Sequence, residues 1–171
     1  MTKTFQRKNN IILAIVPSSR GFGFAALEGR DTLVDWGLSI VTGDKNSGSL
    51  KNIEKMIADY RPRVLVLHDA SAKGYRKGPR IRKLVTDIVV LAKERTMNVA
   101  LLSRDQLMQA FFIDGKGTKY TVAQVLAKRF PEELGHRLPL KRKAWSSESH
   151  RMAIFEAVAV AFAQRLRAKG L

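Results

Sequence analysis

The chain has 171 residues, with 31 Lys or Arg against 15 Asp or Glu and a formal net charge of +16. One globular domain is expected at this length, and the charge predicts a polyanionic partner, with nucleic acid favoured over a membrane because no apolar run approaches about 20 residues. The lack of cysteine excludes disulfides and thiolate zinc sites, so any metal ion would be held mainly by oxygen.

Residues 1–10 form a basic, polar tail, and the apolar run after it is too short for a signal peptide. The protein is therefore expected in the cytoplasm, associated with the nucleoid if it is bacterial. Residues 11–16 are all apolar and are followed by Pro17, which predicts a strand buried on both faces. Residues 22–28 and 32–41 predict two further strands, and three strands so close in sequence predict an antiparallel meander.

The remainder of the chain alternates between helical and strand patterns. Ser49 is the expected N-cap of a first helix that ends at Arg61-Pro62. Ser103 and Gln106 have the spacing of a capping box, as do Thr121 and Gln124. The other expected elements are a strand over 64–67, a helix from about 80 to 94, a strand over 99–102, an irregular basic segment over 131–144 and a helix from about 147 to 169. This order predicts a mixed α/β domain.

Two segments resemble a known family. Ile15-Val16-Pro17-Ser18-Ser19-Arg20 is similar to an Ile-Asp-Pro-Gly-Ser-Arg opening, and Glu156-Ala157-Val158-Ala159-Val160-Ala161 is similar to an Asp-Ala-Leu-Ala-Ile-Ala helix. Together with the element order, they make the chain resemble the RuvC family of Holliday junction resolvases from about residue 11 to 165. The resemblance implies one RNase H-like domain over residues 11–171, in which an antiparallel three-strand meander and parallel strands form a mixed sheet flanked by helices.

The resemblance also implies a nuclease whose acidic or histidine side chains hold two Mg²⁺ ions, on the first strand, the fourth strand and the last helix. Val16 stands where the family has its first aspartate, and Ala153 stands at a partner position on the last helix. His68 falls on the fourth-strand position, with Asp69 one residue away. The candidate catalytic residues are His68, Asp69, Glu148, His150 and Glu156, of which Asp69 and Glu156 are candidate ligands for Mg²⁺ or Mn²⁺ if the chain is active.

Basic residues are dense beside these positions. Eight lie between Tyr60 and Lys83 with a single acid, Asp69, and a second group precedes the last helix. Basic charge at a helix N-terminus opposes the helix dipole, which favours a role in binding. Tyr75 is a candidate for stacking on a base. The candidate nucleic-acid-binding residues are Arg20, Lys73, Tyr75, Arg76, Lys77, Arg80, Arg82, Lys83, Lys116, Lys119, Lys141, Arg142 and Lys143.

Lost acidic ligands combined with dense basic surfaces favour a protein that binds branched DNA, with weakened or lost metal-dependent cleavage. Three alternatives stay open at this point: an active, divergent endonuclease of DNA junctions, a nuclease acting on structured RNA, and a basic assembly protein with an acidic protein partner. A homodimer is implied by the resemblance alone.

Overall fold

A computed structural model describes residues 10–143 and 149–168, and Glu148 lies outside these ranges. Five strands form one sheet in the order β3-β2-β1-β4-β5. The strands β1, β2 and β3 pair antiparallel, whereas β4 and β5 continue the sheet parallel to β1. The strand bounds are β1 (Ile11–Ser18), β2 (Gly21–Glu28), β3 (Thr32–Ile40), β4 (Val64–His68) and β5 (Asn98–Leu102). This is the predicted meander followed by parallel strands, and the predicted fold class is confirmed.

Helices cover both faces of the sheet. Their bounds are α1 (Lys45–Tyr60), α2 (Pro79–Glu94), α3 (Arg104–Phe111), α4 (Lys119–Arg129), α5 (Pro131–Leu134) and α6 (Met152–Ala168). The strand β1 is buried along both faces, as its continuous apolar run predicts. Leu13 and Ile15 pack with α1 and α2, while Ala14 and Val16 pack in the cluster that contains α4 and α6. Val16, near the end of β1, therefore lies in the same cluster as Met152 in the first turn of α6.

Two predicted helix caps are wrong. The helix α1 begins at Lys45, because the side chain of Asp44 accepts a hydrogen bond from the Ser47 backbone N–H at 2.8 Å. Ser49 lies inside this helix and is fully buried. The second capping box consists of Thr118 and Thr121, one turn earlier than predicted. In both cases a competing Asp or Thr a few residues upstream satisfies the first backbone donors of the helix.

The segment after α4 is more regular than predicted, since it contains α5 and a short 3₁₀ helix at Gly135–Arg137. The described part of the last helix is Met152–Ala168, and its start is preceded by a turn at 150–151. Asn10, assigned to the tail, joins the fold: the Arg165 guanidinium donates to its side-chain oxygen at 3.2 Å and its carbonyl at 3.1 Å. Within the described ranges, no helix is long and apolar enough to cross a membrane.

Candidate nucleic-acid-binding cleft

Three adjoining cavities lie where β1, β4 and β5 end and where α3, α4 and α6 begin. Their volumes are about 340, 960 and 530 Å³. Arg76 lines all three, and Glu156 lines the first and the third. We call the three cavities together the cleft. Candidate residues from the first strand, the fourth strand and the last helix are therefore brought to one place by the fold.

At the first acidic position of the resembled family, this chain has a buried, packed Val16. Val16 is 1% exposed and belongs to the apolar cluster beneath α6, although its edge reaches the third cavity. It lies opposite Gly23 in the ladder between β1 and β2. A Cβ on Gly23 would lie 2.4 Å from the backbone oxygen of Ala153. The first turn of α6 thus rests directly on the backbone of β2, beside Val16.

The fourth-strand position presents His68 at the end of β4 and Asp69 just after it. Burial lowers the pKa of the His68 imidazole; the Glu156 carboxylate opposes this shift, and the ammonium groups of Lys119 and Lys77 add to it. The Asp69 carboxylate accepts hydrogen bonds from the backbone N–H and the hydroxyl of Ser71, at 3.0 and 2.6 Å. Both residues line the first cavity, where Asp69 forms part of a local turn.

Glu156 on α6 is a candidate acid whose side chain is only 12% exposed. The ammonium of Lys119, the first residue of α4, lies 2.7 Å from its Oε1 atom. His150 lines the third cavity together with Glu156 and is itself exposed. The last-helix position therefore holds a carboxylate that is already paired with a cation of the protein.

The loop between β4 and α2 is held by Arg82. Its guanidinium donates to the carbonyl oxygens of Ala70, Tyr75 and Lys77 at 2.8, 2.7 and 3.0 Å. The same guanidinium lies over the Tyr75 ring, 5.1 Å from its centroid. The predicted phosphate contact at Arg82 stays a prediction, and the structure adds a role for this side chain in shaping the cleft wall.

Most of the predicted basic residues meet at the cleft. Arg80 is directed elsewhere, towards the side chain of Asn46 and the carbonyl of Ser18. Lys83 pairs with Asp87 at 3.3 Å, and Lys116 lies in the exposed turn before α4. The described lining residues that carry positive charge are Arg20, Lys73, Arg76, Lys77, Arg104, Lys119, Lys141, Arg142, Lys143 and Arg151. The described acids lining the cleft are Asp69 and Glu156.

Two of these cations, Arg104 and Arg151, were not predicted from the sequence. Arg104 is the first residue of α3, and Arg151 immediately precedes α6. A basic residue at a helix N-terminus opposes the helix dipole, and the basic residues at the start of α2 show this pattern in the sequence. Applied to every predicted helix start, the same criterion finds Arg104.

The donor set does not fit the divalent ions that the family resemblance implies. Among the described residues, no group of three or more His, Asp or Glu side chains is arranged to hold a metal ion. Val16 supplies no ligand, Asp69 is engaged with Ser71, and Glu156 is paired with Lys119. Magnesium takes oxygen ligands in near-octahedral geometry, and an adjacent ammonium repels it electrostatically.

Comparisons with known proteins agree on the fold. No protein-family model matches the chain, and no curated protein sequence matches it. A structure of RuvC from Thermus thermophilus has a TM-score of 0.65 at 17% identity, covering 94% of this chain and 96% of that one. The same organism's RuvC in complex with a Holliday junction substrate has a TM-score of 0.61 at 16% identity, with coverages of 94% and 95%. The yeast mitochondrial Holliday junction resolvase Ydc2 has a TM-score of 0.59 at 16% identity, covering 92% of this chain and 79% of that one. From β1 to α6, the chain therefore has a RuvC-like fold.

Proposed function

We propose that this protein binds branched DNA in the cleft and has little or no metal-dependent nuclease activity. The observation that carries the proposal is the charge of the cleft, where ten Lys or Arg side chains face two carboxylates among the described lining residues. Such a surface binds phosphates by releasing counterions. One of the similar structures contains a Holliday junction substrate, which supports a branched duplex as the partner.

The walls of the cleft are arranged to contact phosphates from more than one DNA strand. The second cavity is bounded by residues that precede α4 and α6 and by the basic segment over 139–143, while the first and third reach the ends of β4 and β1. Arg76 stands where the three meet. A four-way junction brings several backbones together at one point, and a single linear duplex does not. Preference for the junction follows from this convergence.

The proposal is tested with labelled four-way junction, linear duplex and structured RNA of equal length, assayed for binding and for cleavage in Mg²⁺ or Mn²⁺. We expect junction binding at least about tenfold tighter than duplex binding, a steep loss of affinity with salt, and no cleavage. Failure to bind any nucleic acid at low salt overturns the proposal. Junction cleavage that Glu156→Gln abolishes establishes the active endonuclease instead, with Mg²⁺ or Mn²⁺ as its cofactor.

A matched pair of triple variants separates the cleft from the overall charge. Arg76→Ala/Arg104→Ala/Arg151→Ala removes three charges from the cleft. Lys55→Ala/Lys93→Ala/Lys128→Ala removes three exposed charges on α1, α2 and α4 that do not line it. The first variant should reduce the slope of log affinity against log salt by roughly 3, and the second should leave it nearly unchanged. Equal effects would show that binding depends on net charge alone.

A further inference from the structure

The carboxylate of Glu156 needs a compensating cation. Its side chain is 12% exposed, and its neighbours in the third cavity include Val16, Met152 and Ala153. A carboxylate with so little access to water is costly to keep ionised unless an opposite charge or several hydrogen-bond donors lie beside it. In nucleases that use divalent metal ions, the metal ion supplies this charge.

In this chain the Lys119 side chain supplies the compensating positive charge. The ammonium of Lys119 lies 2.7 Å from Glu156 Oε1, within the range of a charge-assisted hydrogen bond. The position of Lys119 is fixed by α4, whose Val122 and Leu126 are buried in the same cluster as α6. The Thr118–Thr121 capping box fixes the start of α4. The pair thus joins two helices that are packed against each other.

The location of Lys119 on α4 does not favour the helix itself. It is the first residue of α4, where a positive charge opposes the helix dipole and an acidic residue would be stabilising. The first turn of α4 contains no acid. The Lys119 ammonium is therefore electrostatically unfavourable for its own helix, α4. It lies within reach of the Glu156 carboxylate on α6.

The other groups around the Glu156–Lys119 pair do not require a metal ion. Asp69 is held by Ser71, and the position of a further acid is occupied by the apolar Val16. His68 lines the first cavity beside the pair. Lys77 lines the first and third cavities with Glu156 and adds positive charge there. The cavities that Glu156 lines thus contain the ammonium groups of both Lys119 and Lys77.

We propose that the Lys119 ammonium takes the place of a divalent metal ion as the counter-ion of Glu156, so that the cleft accepts DNA phosphates without Mg²⁺. The binding part of this inference rests on the proposed function, whereas the counter-ion part concerns the protein alone. Without Lys119, Glu156 repels the phosphates that the surrounding cations attract. With it, the centre of the cleft remains positive.

The first experiment uses the free protein and no DNA. Binding of Mn²⁺ is measured by the loss of the electron paramagnetic resonance signal of the free ion, for the wild type and for Glu156→Gln. We expect weak wild-type binding, no tighter than about millimolar and equal in the two proteins. Wild-type binding at least about tenfold tighter, lost in Glu156→Gln, overturns the inference. This result does not depend on whether the proposed function is right.

The second experiment is a double-mutant cycle on a four-way junction, in EDTA and in Mg²⁺ at equal ionic strength. Lys119→Met should weaken binding about tenfold, and adding Glu156→Gln should restore affinity to within about threefold of the wild type. Wild-type affinity should be the same in EDTA and in Mg²⁺. A double variant as weak as Lys119→Met, or a wild type that needs Mg²⁺ to bind, overturns the inference. Lys128→Met, on an exposed position of the same helix, is the matched control.

Discussion

Val16 and Gly23 lie directly opposite each other in the antiparallel ladder between β1 and β2. The valine side chain contributes to the core under α6, and the absence of a side chain at the glycine lets the Ala153 carbonyl approach β2. This pair sets how closely the start of α6 approaches the sheet. It thereby sets where Glu156, one turn further along α6, meets the side chains that arrive from β4 and α4.

Val16→Asp should destabilise the protein without making it a nuclease. The new carboxylate would be largely buried, at the edge of a cavity that already holds the Glu156 carboxylate, so we expect a loss of about 3 kcal/mol in the free energy of unfolding at neutral pH. Cleavage of a four-way junction in Mg²⁺ or Mn²⁺ should stay absent because Lys119 still neutralises Glu156. Urea unfolding and a nicking assay measure the two effects.

Val16→Asn is the control for the first effect, since it adds a polar group of similar shape without the charge. Val16→Asp/Lys119→Gln should bind Mn²⁺ more tightly than Val16→Asp, because two carboxylates would then face the ion with no competing ammonium. Metal-dependent cleavage by Val16→Asp alone would contradict this account of the cleft.

Gly23→Ala should displace the start of α6. The added methyl would lie 2.4 Å from the Ala153 backbone oxygen, a contact that only a backbone shift relieves. We expect a loss of about 1–3 kcal/mol in the free energy of unfolding, together with chemical-shift changes in residues 152–156. Gly135→Ala is the control, because Gly135 has helical backbone angles and its Cβ would meet nothing closer than 3.8 Å. An equal cost for the two substitutions would rule out a special role for the contact at Gly23.

His68 should make the protein less stable in mild acid. Burial lowers its pKa below the ordinary value of 6.5, so between the two pKa values the unfolded chain binds a proton that the folded chain does not. The free energy of unfolding therefore falls as the pH decreases from about 7 through 6.5 and below, by at most about 1.4 kcal/mol per pH unit for one proton.

His68→Gln should flatten this part of the pH profile, measured by urea unfolding between pH 7 and pH 5. The matched control substitution is His136→Gln, at an exposed histidine. If both variants follow the wild-type profile, the acid sensitivity comes from other groups.

Arg82→Lys should loosen the loop between β4 and α2. A lysine carries one ammonium and cannot reproduce the three carbonyl contacts or the planar contact with Tyr75. Hydrogen exchange in residues 69–78 should become faster, and junction affinity should fall several-fold because Lys73, Arg76 and Lys77 are less well placed. Lys83→Ala is the control for the exchange measurement, since it breaks an exposed pair with Asp87. Unchanged hydrogen exchange in Arg82→Lys would show that the loop conformation does not depend on the Arg82 contacts.

The sequence by itself determined the sheet and its central strand. Continuous apolar runs at residues 11–16 and 64–67 predict strands covered on both faces, and both lie inside the observed sheet between helical layers. The length of an apolar run can be read directly from the local sequence, so it predicts a buried strand without any tertiary information. The helix starts at Asp44 and Thr118 were missed because several nearby polar residues can serve as a cap, and the local pattern does not choose among them.

The candidate site likewise combines features that the sequence shows with features that only the tertiary structure shows. The sequence shows that Val16 cannot hold a metal ion, and it places dense positive charge near the same strands. Only the tertiary structure decided that Lys119 meets Glu156, that Ser71 engages Asp69, and that Arg104 and Arg151 join the cleft. These contacts connect residues of different elements, or depend on the direction in which a loop side chain points. Packing of α4 and α6 against the sheet fixes the distance between Lys119 and Glu156, and no local pattern in the chain encodes it.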